Sequence, residues 1–204
     1  MITPSAPASG TSTSAVIEKD LFLMLTTLLS ENSVVSIKNK SFSVTAEIEV
    51  PEKGAEGVII AQGGRFGGWS LYFTGGLATF VYNVLGIHRF ATVATEPLRP
   101  GRHQVRMEFA YDGGGLAKGG DVTLYYDGNA VGTGRVGATQ PMIFSADETT
   151  DVGYESGTSV SADYTSHSSR FTGRINWVQI DTGDDDHDHL IDPDERLRIA
   201  MARQ

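Results

Sequence analysis

Residues 41–50, SFSVTAEIEV, alternate without a break. Phe42, Val44, Ala46, Ile48 and Val50 fall on one side, and Ser41, Ser43, Thr45, Glu47 and Glu49 on the other. A period of two marks a half-buried antiparallel strand, with one face in a core and one in water. Pro51 has no N–H for the ladder and stops it. Such a strand needs neighbours and a second layer. Candidates follow at short intervals: Gly57–Ala61, Trp69–Phe73, Leu77–Val84, Arg89–Thr95, His103–Tyr111, Val122–Tyr126, Ala130–Val136 and Phe171–Ile180. Turn signals separate them, among them Thr74-Gly75-Gly76, Arg99-Pro100-Gly101 and Asp127-Gly128-Asn129, whose Asp-Gly pair suits a tight hairpin. Many short strands with almost no helix between them predict an all-β antiparallel sandwich or barrel over residues 38–182.

The glycine-rich stretch AQGGRFGGWSLYF, residues 61–73, fits the same scheme. A phosphate cradle delivers its glycines into a helix N-terminus, where free N–H groups face the anion. Here the glycines deliver Trp69, Leu71 and Phe73 at strand spacing, with no Lys-Ser/Thr after them. They read as turn glycines, with Arg65 at the tip.

Charge is unevenly spread. The formal net charge is −9, of which residues 181–204 carry −5, and no basic footprint for nucleic acid stands out. The absence of cysteine excludes disulfides, thiolate nucleophiles and cysteine-held zinc. Residues 1–37 are expected to be a separate segment, with a Pro/Ser/Thr/Ala-rich, disordered start of fourteen residues. DLFLMLTTLLS, residues 20–30, is too short to span a bilayer and has Glu18, Lys19 and Asp20 where a secretory leader wants a basic region. It is expected to form a short apolar helix that packs on a partner or drives self-association. With no convincing leader, the compartment is read as cytoplasmic by default.

Three groupings could carry chemistry. Glu47, Glu49 and Glu52, in EIEVPE, echo the E-x-D-x-x-E strand of jelly-roll glycoside hydrolases, with Glu in place of the middle Asp and Pro51 before the last acid. The plainer expectation is the polar face of a strand beside a turn. Trp69, Tyr72, Tyr82 and Tyr111 could line a sugar-stacking face, although aromatics at strand spacing are more often core. The five histidines, His88, His103, His167, His187 and His189, fit no HExxH, GxSxG or Ser/His/Asp pattern.

The third grouping is DDDHDHLIDPDE, residues 184–195. Counted as a calcium loop, it places Asp184, Asp186, Asp188, the Leu190 carbonyl, Asp192 and Glu195 at ligand positions 1, 3, 5, 7, 9 and 12. His189 stands where such loops carry glycine, and a strand leads in where a helix should. The competing reading is a helix start, with Asp192 as N-cap, Pro193 at N1 and Glu195 at N3, leading into a short C-terminal helix over residues 183–204. Ca²⁺ is the cofactor expected if the first reading holds.

The words GAEGVIIAQGGRFGGWSLY, VYNVLGIHRF, YDGGGLAKGGDVTLYYDG, FSADETTDVG and DHLIDPDERLRIAMARQ resemble the C-terminal domain of a bacterial arylsulfatase family, over residues 38–204. The resemblance implies a jelly-roll sandwich of concanavalin A or laminin-G type, appended in that family to a sulfatase domain. It also implies what this chain lacks. The family's C/S-x-P-x-R motif supplies formylglycine beside a carboxylate-held Ca²⁺. Here the only Ser-x-Pro, Ser5-Ala6-Pro7, is followed by Ala8 and Ser9. The expectation is a non-catalytic sandwich present as a separate chain, either a truncated gene product or a subunit that docks on a separately encoded sulfatase chain. The alternatives are a free carbohydrate- or sulfated-glycan-binding module and, third, a jelly-roll glycoside hydrolase.

Overall fold

The fold is taken from a computed structural model, which describes residues 36–145 and 150–183 and, for the backbone alone, Thr13–Glu18 and Thr27–Leu29. The described strands are β1 (Thr13–Glu18), β2 (Thr27–Leu29), β3 (Phe42–Val50), β4 (Gly57–Gly64), β5 (Gly67–Thr74), β6 (Leu77–Val84), β7 (His88–Val93), β8 (Gly101–Tyr111), β9 (Gly120–Tyr126), β10 (Asn129–Val136), β11 (Thr150–Val152) and β12 (Arg174–Thr182). They form two antiparallel six-stranded sheets, ordered β1-β12-β3-β8-β9-β10 and β2-β11-β4-β5-β6-β7. No helix occurs among the described residues. The expected sandwich is the fold.

The alternation of β3 sets the first sheet. Phe42, Val44, Ala46, Ile48 and Val50 all enter the core between the sheets. Opposite them, β5 contributes Trp69, Leu71 and Phe73, and β6 contributes Ala78, Phe80 and Tyr82. Trp69 is fully buried, with its ring centroid 5.6 Å from that of Phe42 and 6.3 Å from that of Phe80, and its indole N–H donates to Gln62 Oε1 at 2.9 Å.

β4 is buried along its whole length, because both of its faces are covered. A bulge between Val58 and Ile60 lets Ile59 and Ile60 both reach the core. On the outer face, Val58, Ala61, Tyr72 and Val81 pack against Val160 and Tyr164 of the 153–170 segment. Polar contacts fasten that segment down. Tyr164 OH donates to Ser70 Oγ at 2.7 Å, Tyr72 OH to Asp163 Oδ2 at 2.5 Å, and Asn83 Nδ2 to the Val160 carbonyl at 3.2 Å.

The glycines of residues 63–68 prove to be hairpin glycines. Gly63 pairs with Gly68, and a Cβ on Gly63 would lie 2.3 Å from the Gly67 carbonyl oxygen and 2.8 Å from Gly68 Cα. Two backbones approach there more closely than any side chain allows.

The Asp127-Gly128 turn behaves as its sequence predicts, with φ of 49° and 83° at its two central residues. Asp127 also accepts hydrogen bonds from the Gln104 amide at 2.8 Å and shares one with His103 Nδ1 at 2.6 Å. Burial opposes ionisation of this carboxyl, but those two hydrogen bonds outweigh it and hold its pKa below the usual carboxylate range. A lowered folded pKa stabilises the protein above the unfolded value and ceases to do so as pH falls through the folded one. Asp127→Asn, which keeps the turn geometry, should therefore lower the melting temperature at neutral pH. The gap between variant and parent should close below about pH 4. A gap that stays constant across that range would show that the charge contributes nothing.

The start of the chain departs from expectation. Thr13–Glu18 pairs with β12 along its length, and Thr27–Leu29 pairs with β11. What was expected as a disordered lead and part of an apolar helix thus supplies one edge strand to each sheet. Leu is a good helix former, but propensity is a small term, and an open row of N–H and C=O groups at a sheet edge overrides it. The β-branched pair Val16-Ile17 suits the same outcome. β11 was not anticipated at all, and β12 begins at Arg174, not Phe171, which caps the core from the preceding turn.

Candidate binding groove

The register of the first sheet organises its outer face. Ser43 of β3 lies opposite Glu108 of β8 on one side and Asp181 of β12 on the other. Thr45 lies between Arg106 and Gln179 in the same way. Short hydroxyl side chains on the central strand, flanked by long side chains on both neighbours, make a trough along β3.

The trough has a volume of about 320 Å³ and is lined by Ser41, Ser43, Arg106, Glu108, Asp181 and Thr182, together with Phe42, Phe109, Ala110 and Gly183. Its walls are fixed by their own hydrogen bonds. Arg106 Nη2 is paired with Glu108 Oε1 at 2.8 Å, Tyr125 OH donates to Glu108 Oε2 at 3.0 Å, and Gln179 Nε2 donates to Asp181 Oδ1 at 2.8 Å. The hydrogen bond to Glu108 is the main reason the Tyr125 phenol is pushed up from its ordinary pKa. Arg106 Nε is buried and has no hydrogen-bond partner among the described residues, while its Nη2 carries the ion pair with Glu108. Two carboxylates, one guanidinium and two serine hydroxyls therefore share one small surface. That set can exchange hydrogen bonds with a ligand rich in hydroxyls, and its carboxylate excess disfavours an anion.

The residues singled out in the sequence are dispersed. Glu47 Oε1 accepts from Arg102 at 2.7 Å and Asn176 at 3.0 Å, on the outer face of β3. Glu49 is exposed further along, and Glu52 lies in the turn beyond the end of the strand. Glu47 and Glu49 keep one face of β3, as the alternation predicts, and only Glu52 leaves the strand. Trp69, Tyr72 and Tyr82 are buried, and the half-buried Tyr111 hydroxyl donates to the Gly115 carbonyl at 2.6 Å. They are core and loop anchors, and the stacking face expected as one possibility is absent from these positions.

His88 lies in an exposed strand beside Phe90, His103 is tied to Asp127, and His167 is exposed on the 153–170 segment. No group of three or more metal-type side chains occurs among the described residues. Asp184, Asp186, Asp188, Asp192 and Glu195, His187 and His189, and the expected C-terminal helix all lie outside the described residues. Among the described residues no helix is long and apolar enough to cross a membrane.

No known family model matches the chain, and no curated protein matches it. Solved structures do. The Ruminococcus gnavus IT-sialidase CBM40 bound to α2,3-sialyllactose aligns with 70% of this chain and 76% of its own, at 13% identity and a TM-score of 0.45. Domains LG4-5 of the mouse laminin α1 chain align with 78% of this chain and 39% of theirs, at 16% identity and a TM-score of 0.47. The receptor-binding domain of botulinum neurotoxin mosaic serotype C/D aligns with 84% of this chain and 42% of its own, at 11% identity and a TM-score of 0.46. These likenesses concern the sandwich architecture.

The trough was invisible in the sequence for a specific reason. Ser43 and Thr45 are legible as the polar side of a strand, and so are Arg106 and Glu108 within RHQVRMEFAY. That β8 and β12 flank β3 is a long-range pairing, and no local pattern encodes it.

Proposed function

We propose that the chain is a non-catalytic β-sandwich binding module that takes a neutral glycan in the trough along β3. One observation carries the reading: Arg106, Glu108, Asp181 and Ser43 are gathered around a shallow polar groove. Sugar hydroxyls both donate and accept, so they can satisfy carboxylate and guanidinium side by side. The acidic balance of the walls favours an uncharged sugar over a sulfated one.

A glycan array followed by titration calorimetry tests this. Arg106→Ala should weaken binding by about 10- to 100-fold, the range expected for losing a hydrogen bond to a charged group. Ser43→Trp, which fills the trough floor, should abolish binding with the fold retained by circular dichroism. Failure of the parent chain to bind any glycan at millimolar concentration would sink the proposal.

A second reading is descent from the arylsulfatase family, with docking on a sulfatase catalytic chain. It rests on the sequence words quoted above. An adjacent upstream reading frame carrying C-x-P-x-R would support it, and flanking DNA without one would argue against it.

A further inference from the structure

One end of the sandwich has a composition unlike the rest of the surface. The β4–β5 turn, the β6–β7 turn and the 137–145 segment meet there. Asn83 Nδ2 donates to the Arg65 carbonyl at 3.0 Å, Leu85 N–H to Gln140 Oε1 at 3.4 Å, and Ser145 N–H to the Gly67 carbonyl at 3.1 Å. These contacts hold the three loops side by side. They present Phe66, Leu85, Ile87, Met142 and Ile143, five of the seven large apolar side chains that stand exposed among the described residues. Ile87 is 73% exposed and Phe66 65%. Solvated singly such residues mean little, but gathered on neighbouring tips they mark an interaction surface.

Charge narrows the partner. Residues 63–68, 84–89 and 137–145 contain Arg65, His88 and Arg89 and not one acid, in a chain whose net charge is −9. Arg65, His88 and Arg89 are exposed. Apolar tips flanked by two arginines and no acid complement a surface that is apolar inside and anionic at its rim.

The backbone narrows it further. A loop can enter an apolar layer only if its N–H groups bring their own acceptors. The tip donors do. Arg65 N–H bonds Thr158 Oγ1 at 3.0 Å and Phe66 N–H bonds Ser145 Oγ at 3.0 Å. Gly86 N–H bonds Asn83 Oδ1 at 2.9 Å and Ile87 N–H bonds the Val84 carbonyl at 3.0 Å.

We infer that this end of the sandwich docks on an anionic lipid surface, inserting Phe66 and Ile87 at headgroup depth with Arg65 and Arg89 on the phosphates. The groove along β3 plays no part in it.

Co-sedimentation of the full chain with vesicles decides the matter. Equimolar phosphatidylcholine and phosphatidylglycerol should retain the protein, phosphatidylcholine alone should not, and salt should weaken the binding. Phe66→Ser with Ile87→Ser should reduce binding by at least about tenfold, since each apolar side chain loses its burial. Arg65→Glu, at an exposed turn, should reduce it with the melting temperature unchanged. Equal binding to neutral vesicles, binding that survives the double substitution, or no binding at all would overturn the inference. So would a dimer seen by light scattering without lipid, dissolved by the same double substitution and accompanied by no vesicle binding, which would assign the patch to a second copy of the chain.

Discussion

Trp69→Ala is expected to lower the unfolding free energy by about 3–5 kcal/mol, the range for deleting a large aromatic from a packed core. The indole is fully buried where the two sheets meet, against Phe42 of the first sheet and Phe80 of its own. Truncation leaves a cavity whose walls are strands locked into ladders, so relaxation can fill little of it. It also leaves Gln62, itself buried, without the donor that Trp69 supplies. Chemical denaturation followed by far-ultraviolet circular dichroism measures the loss. A change below about 1 kcal/mol would mean that the indole does not join the sheets.

The second large effect appears in alkali. Tyr82 and Tyr164 have phenols pushed well above their ordinary pKa by burial, reinforced at Tyr164 by the charge of Glu155 and opposed at Tyr82 by the Gln140 amide. Tyr72 is raised by burial and by Asp163. In the unfolded chain these groups ionise near 10, while in the folded chain they keep their protons. The folded state then binds more protons than the unfolded one, so stability is intact below about pH 10 and falls above it. The slope is about 1.4 kcal/mol per pH unit for each tyrosine that differs. Tyr164→Phe should make the fall shallower by about that amount, with some loss at neutral pH from the broken bond to Ser70. Unfolding free energies that stay flat from about pH 9 to about pH 11 would refute the assignment of these phenols to the interior.

What could be read in advance follows the range of the interactions involved. The alternation of residues 42–50 and the Asp127-Gly128 turn are local, and both appear in the structure as their patterns predict. β1, β2 and β11 carry weak patterns of their own and exist because open edges accept them. The full burial of β5 was legible only on its Trp69-Leu71-Phe73 face. Its other side, Ser70 and Tyr72, is covered by a segment some ninety residues away, through Tyr164 and Ser161. The candidate groove belongs to the same class, since Ser43 and Asp181 become neighbours only through the β3–β12 ladder.

The pairing of the earliest strands with the latest has a consequence for how the protein is made. β2 finds its partner only when Thr150–Val152 has emerged, and β1 waits for Arg174–Thr182. A ribosome adding about 5–20 residues per second leaves Leu28 and Leu29 unpaired for roughly 6–25 s. Once β8 is made β3 can pair with it, but until the late strands emerge each sheet lacks its two outermost strands on one side, β12 with β1 and β11 with β2. Closure of both edges therefore comes late in synthesis, and until then the unpaired edges are open to edge-to-edge association with other nascent chains.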